Sequence, residues 1–117
     1  MIIFNPLKKR ALCAGFLAIA SISSEASSNV QGTIAEMTID KNFGSFVFVR
    51  FATVPTNKIG CSVNGYWHFT LPLVTDVDKR MFAVLMTARA TGAVVKATGS
   101  GGCNEVGSIE SLQAIGM

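Results

Sequence analysis

From Cys61 to Cys103 the chain reads CSVNGYWHFTLPLVTDVDKRMFAVLMTARATGAVVKATGSGGC, two cysteines enclosing a strand, a helix and a second strand. Residues 61–71 read as a β-strand around Tyr66-Trp67-His68-Phe69, interrupted by Asn64-Gly65, which is a tight turn or a bulge. Pro72 ends that strand. Thr75-Asp76-Val77-Asp78 then opens a helix: the Thr75 hydroxyl can accept from the first free amides, and the two aspartates complement the positive end of the helix dipole. Val77, Met81, Leu85 and Ala88, with Phe82 and Val84 beside them, follow helical spacing, and Gly92 suits the left-handed residue just past the C-terminus. Residues 93–98 form the next strand, and Gly99-Ser100-Gly101-Gly102 reads as a hairpin turn.

Outward from this block, residues 29–40 alternate with apolar side chains on both faces, as in a barrel strand partly covered outside. Asp40-Lys41-Asn42-Phe43-Gly44 supplies turn chemistry, and the β-rich run at 45–53 completes a hairpin. Pro55-Thr56-Asn57-Lys58 with Gly60 is a loop, and residues 106–115 make a fifth, more polar strand. The expected fold is therefore all-β with one helix, in the order β-β-β-α-β-β of an OB-fold, a five-stranded Greek-key barrel. A ferredoxin-like fold needs a helix after its first strand, and the sequence shows none.

Residues 1–26 read as a secretory signal peptide. Lys8, Lys9 and Arg10 form a basic start, residues 11–22 an apolar run too short for a permanent bilayer span, and Ser24-Glu25-Ala26 places small residues at −3 and −1 for cleavage after Ala26. Cys13 lies within the apolar run, not after it where a lipoprotein cysteine would stand, and is expected to be removed. The remaining domain, residues 27–117, has 91 residues, with seven Lys and Arg against six Asp and Glu. The net charge of +3 thus falls to +1, and the basic balance belongs mainly to the leader, which argues against nucleic acid as a partner. Two cysteines in an exported domain of this size point to a Cys61–Cys103 disulfide. Closing that loop stabilises a chain by about 4 kcal/mol in the chain-entropy model. No third cysteine in the domain and no second histidine supports a metal centre, and no cofactor motif is present.

Catalytic signals are sparse, and an enzyme is not expected. His68 is the only histidine, and no serine stands in a Gly-x-Ser-x-Gly turn. Asp76 and Asp78 read as helix-start residues rather than paired acids. The glycines at 99–102 lack the following Lys-Ser/Thr and the helix of a phosphate loop. Tyr66, Trp67 and His68 are the candidate ligand-binding residues, the aromatic pair as a platform for a sugar face. The helix is more telling: residues 81–88 carry no charge, and Ala83, Thr87 and Ala90 stand where a lone small domain would put Lys or Glu. These three are the expected contacts of a homo-oligomer.

Cys61-x-Val63, Trp67-x-Phe69, the helix end Ala88-Arg89 and the exit Thr91-Gly92-x-x-Val95 fall in an order that resembles the B subunits of subtilase cytotoxin and the typhoid-toxin binding subunit. The opening Val30-x-Gly32-x-Ile34 and the hairpin at 43–51 extend the resemblance over most of the domain. It implies an OB barrel in a ring-shaped homopentamer with helices lining a central pore, binding of sialylated host glycans, and a secreted catalytic A-type partner. The family's glycan-contacting serine lies in a tyrosine-rich segment ahead of the first strand. Only Ser27-Ser28-Asn29 stand there in this chain, so that sugar site does not carry over. The expectation is a secreted or periplasmic, non-catalytic glycan-binding protein without stable membrane insertion. A small periplasmic protein-binding or inhibitor protein is the alternative, and a small secreted hydrolase using His68 is a third.

Overall fold

The computed structural model describes residues 27–117, so the expected leader and Cys13 lie outside the described residues. Six strands and one helix follow in order: β1 (Asn29–Gly32), β2 (Ile34–Ile39), β3 (Phe46–Phe51), β4 (Phe69–Pro72), α1 (Asp76–Thr91), β5 (Val95–Gly99) and β6 (Glu110–Gly116). The domain is mostly β with one helix, as expected, but it has six strands rather than five. The extra strand comes from a break at Thr33. Ahead of it β1 pairs with β5; beyond it β2 pairs with β3. One stretch of chain thereby supplies both ends of the sheet, whose order is β1-β5-β6-β4-β3-β2. The sheet curls because its two ends are successive segments of backbone. Its pairs are antiparallel except β4–β6, where Phe69 stands opposite Glu110.

The strand expected over 61–71 is only four residues long, Phe69–Pro72. Asn64 explains the loss: its side-chain oxygen accepts from the backbone N–H groups of Tyr66 and Trp67 at 2.8 and 2.7 Å, diverting donors that a ladder would use. Cys61 to Trp67 is therefore loop, and Asn64-Gly65 is a turn. The last strand is likewise shorter than expected at its start. Ile109 N–H donates to the Val106 carbonyl at 3.1 Å, closing a turn where a strand was anticipated.

α1 forms where its caps specify. Thr75 Oγ1 accepts from Asp78 N–H at 3.1 Å, and the Asp78 carboxylate accepts from Thr75 N–H at 3.0 Å, a reciprocal capping box. These bonds, led by the one from Thr75, hold the Asp78 carboxyl below its ordinary range. Gly92 closes the helix at φ 73°, a left-handed conformation that disfavours side chains. Leu85 and Ala88 are fully buried, with Met81 and Phe82 partly so, whereas Val77, expected on the same stripe, is exposed.

Alternation along β3 divides the interior. Val47, Val49 and Phe51 join Phe69, Leu71, Val95 and Leu112 in the main core beneath α1. Phe46 and Phe48 point the other way and form a second cluster with Ile109.

Candidate functional site

The outer face of β3 and β4 is covered by loops. Residues 57–68 and 100–109 lie over it, and Val63 and Asn64 N–H of the first both donate to the Ser108 carbonyl of the second, at 3.1 and 3.0 Å. The Cys61–Cys103 disulfide joins them, with 6.3 Å between Cα atoms. Glu105 pins the second loop to the sheet: its Oε1 accepts from Thr70 Oγ1 of β4 at 2.9 Å and from Ser111 Oγ of β6 at 2.7 Å. The sequence's cysteine pair is thus a staple between two loops over an apolar patch.

Where this cover meets the β2–β3 turn there is an open cleft of about 300 Å³. Phe43, Phe48, Trp67, Val106 and Ile109 form its apolar lining, and Thr38, Asp40 and Asn64 supply its polar groups. The Trp67 ring lies tilted on Phe48 with centroids 5.3 Å apart, and Phe43, 60 % exposed, meets Phe48 edge-on at 5.6 Å. Two of the three polar side chains are held by backbone: Asp40 Oδ1 accepts from Asn42 N–H at 2.9 Å, and Asn64 Oδ1 takes its two amides. The Asn64 NH₂ and the second Asp40 oxygen take no part in those bonds. Chemically, the cleft offers aromatic faces with a hydrogen-bond donor and an acceptor at its edge, the pattern of a small-ligand site. A larger opening of about 400 Å³ between β1, β5 and residues 53–56 is lined by amides, hydroxyls, Lys96 and the aliphatic Val30, Val54 and Ala97, without an aromatic.

The three expected ligand residues part company. Trp67 lines the cleft. Tyr66 packs edge-on against Trp67 at 5.0 Å, but its hydroxyl donates to the Glu36 carboxylate, and Arg50 sits 4.6 Å over its ring. Arg50 also pairs with Glu36 at 3.3 Å. The Tyr66 bond first, then Arg50 and the more distant Arg89, hold the Glu36 carboxyl below its ordinary range against a push upward from desolvation. His68 is committed to the backbone: its Nδ1 accepts from Phe51 N–H at 3.0 Å, which places the proton on Nε2. Burial, reinforced by Lys58 and Arg50, lowers its pKa.

Ala83, Thr87 and Ala90, the expected oligomer contacts, are all exposed on α1, with Met86 beside them at 52 %. Thr87 Oγ1 donates to the Ala83 carbonyl at 3.0 Å, so its hydroxyl is spent on its own helix. Among the described residues no group of three metal-ligating side chains occurs, and no helix is long and apolar enough to cross a membrane. Sequence reasoning missed Phe43, Phe48, Asp40 and Asn64 as a site because it placed the first two in hairpin and core and the others in turns. The strict alternation of Phe46 and Phe48 with Val47 and Val49 was the available signal.

No protein-family model, curated protein or solved structure matches this chain.

Proposed function

We propose that this chain is a secreted or periplasmic, non-catalytic binding protein that recognises cell-surface glycans. The observation that carries this is the cleft of Phe43, Phe48 and Trp67 edged by Thr38, Asp40 and Asn64. Sugars present an apolar C–H face, which stacks on aromatic rings, and hydroxyls, which need donors and acceptors in fixed places. Export is supported by the leader-like start and by a disulfide, which persists in oxidising compartments. An OB-type barrel is supported by the single helix between β4 and β5, by the parallel β4–β6 pair, and by β1 and β2 serving as halves of one bent strand.

Assembly as a ring through α1, a pentamer by the toxin resemblance, is supported by the uncharged exposed patch of Ala83, Met86, Thr87 and Ala90. By the same resemblance, the partner of such a ring is a secreted catalytic A-type subunit. Glycan-array binding by the purified protein, lost on Trp67→Ala with the fold intact, tests the ligand. An absence of any glycan signal rejects it. A native mass about five-fold that of the chain tests the ring, and a monomer rejects it.

A protein partner is the second reading, favoured by the neighbouring exposed side chains Ile39 and Phe43 at the β2–β3 turn. A hydrolase using His68 draws no support from an imidazole already bonded to Phe51.

A further inference from the structure

Glu110 opens β6 opposite Phe69, and like Phe69 it is fully buried. Leu112, two residues on and so on the same face, belongs to the main core, which places the Glu110 carboxylate at one end of the sheet's inner side. The fold makes room for it: a Cβ at Gly99 would overlap the carboxylate, so the strand beside it must be glycine there. Its hydrogen bonds come from neutral donors. Ser28 N–H lies 3.3 Å from both carboxylate oxygens, Ser28 Oγ donates to Oε1, and Gly101 N–H donates to Oε2 at 2.9 Å. Among the described residues no Lys, Arg or His side chain lies within ion-pairing distance of it; the pair that does form is Arg50–Glu36. A carboxylate taken wholly from water without a counter-charge is strongly disfavoured, and such groups are normally matched by a cation.

A cation can be made next to Ser28 by cleavage. Ser28 is 1 % exposed, with its carbonyl held by Gly99 N–H at 2.9 Å and its N–H and hydroxyl held by Glu110. Ser27 precedes it directly, and the small-residue pattern Ser24-x-Ala26 sets the expected cut between Ala26 and Ser27. A signal peptidase spends one water on that amide, leaving a carboxylate on Ala26 and an amine on Ser27 that takes up a proton. We propose that Glu110 is the binding site for the α-ammonium of Ser27, so that removal of the leader completes the fold. The uncut chain carries an uncharged amide at that place and leaves the buried carboxylate unmatched. It is therefore the less stable form, which suits a precursor that must cross a membrane unfolded. This inference rests on the export reading proposed above.

All six strands, the helix and the disulfide lie within residues 27–117, so the cut chain contains the whole described fold. The test compares a chain starting at Ser27, released from a fusion without added residues, with the same chain carrying one extra Ala in front, each with and without Glu110→Gln. The extra residue moves the ammonium by about 3.5 Å. It is expected to lower Tm by about 5 °C or more, the shift a modest loss produces in a domain of this size. Glu110→Gln is expected to lower Tm further in the Ser27 chain than in the extended one. Effects that simply add overturn the proposal. If Glu110→Gln does not fold, acetylation of the α-amine in the two wild-type chains decides. The Ser27 amine should react on the order of ten-fold more slowly, being charge-paired and shielded, and equal rates overturn the proposal. N-terminal sequencing of the full chain recovered after expression with export separates the two layers. A start at another residue removes the premise of cleavage after Ala26 and the proposal with it, whereas a start at Ser27 with additive Tm effects defeats the Glu110 site alone.

Discussion

The two faces of β3 are covered by different means. Inward, Val47, Val49 and Phe51 meet Phe69, Leu71 and a helix whose caps are specified locally. Outward, Phe46 and Phe48 meet loops with little ladder bonding of their own, held by one disulfide, by Glu105 and by the Asn64 turn. The inner cover is regular structure that buries its contents fully. The outer cover leaves Trp67 half-buried and Phe43 at the rim of a cleft. The larger buried core lies on the first face, and ligand recognition is proposed for the second.

That division can be broken by mutation, beginning inside. Phe69→Ala, at a site with no exposure and an edge-on contact to Phe51, is expected to lose about 3–5 kcal/mol in urea unfolding and to disrupt both faces together. Removing the staple by Cys61→Ser with Cys103→Ser should lose about 2–4 kcal/mol. The smaller loss should be accompanied by a freer Trp67, read as a red-shifted, more easily quenched fluorescence while the far-ultraviolet dichroism stays near native. A double variant that loses more than Phe69→Ala, or that leaves Trp67 unchanged, would mean the outer loops are not a separately held cover.

Thr75→Ala removes one side of the capping box and should lose about 1 kcal/mol, with no effect on Trp67 fluorescence. The smallest effect is expected from pH. His68 accepts from Phe51 N–H of β3, and its pKa is lowered by burial in the folded protein. As pH falls through about 6.5 the unfolded chain binds a proton before the folded one does, so stability declines toward acid. Urea midpoints should drop between pH 7.5 and 5.5, and drop less in His68→Asn, which retains an acceptor for Phe51 N–H but cannot titrate.

The same contrast explains what was legible in the sequence. The helix was, to within a residue at each end, because Thr75, Asp78 and Gly92 act on their own neighbours. So was the β2–β3 hairpin, and so was the cysteine pairing, from number and setting. The break at Thr33 was not, because it reflects which strands lie beside β1 and β2, and those partners, β5 and β3, are distant in sequence from each other. The loop at 61–68 was misjudged because β-rich residues outweighed one asparagine whose side chain captures two backbone amides. Glu110 was read as part of a polar strand; only the approach of Ser28, 82 residues away, makes it an interior group. The candidate cleft shares that dependence, since Phe43, Asn64 and Trp67 meet only after the outer loops close.

The most direct test is a backbone amide shift map of the isotope-labelled protein titrated with a glycan that it binds. Shifts should concentrate at Thr38, Asp40, Phe43, Asn64 and Trp67, and the amides of Val47, Val49 and Leu85 should stay still. Shifts centred instead on Lys96 and Thr53, at the larger opening between β1 and β5, would contradict the assignment of recognition to the outer aromatic face.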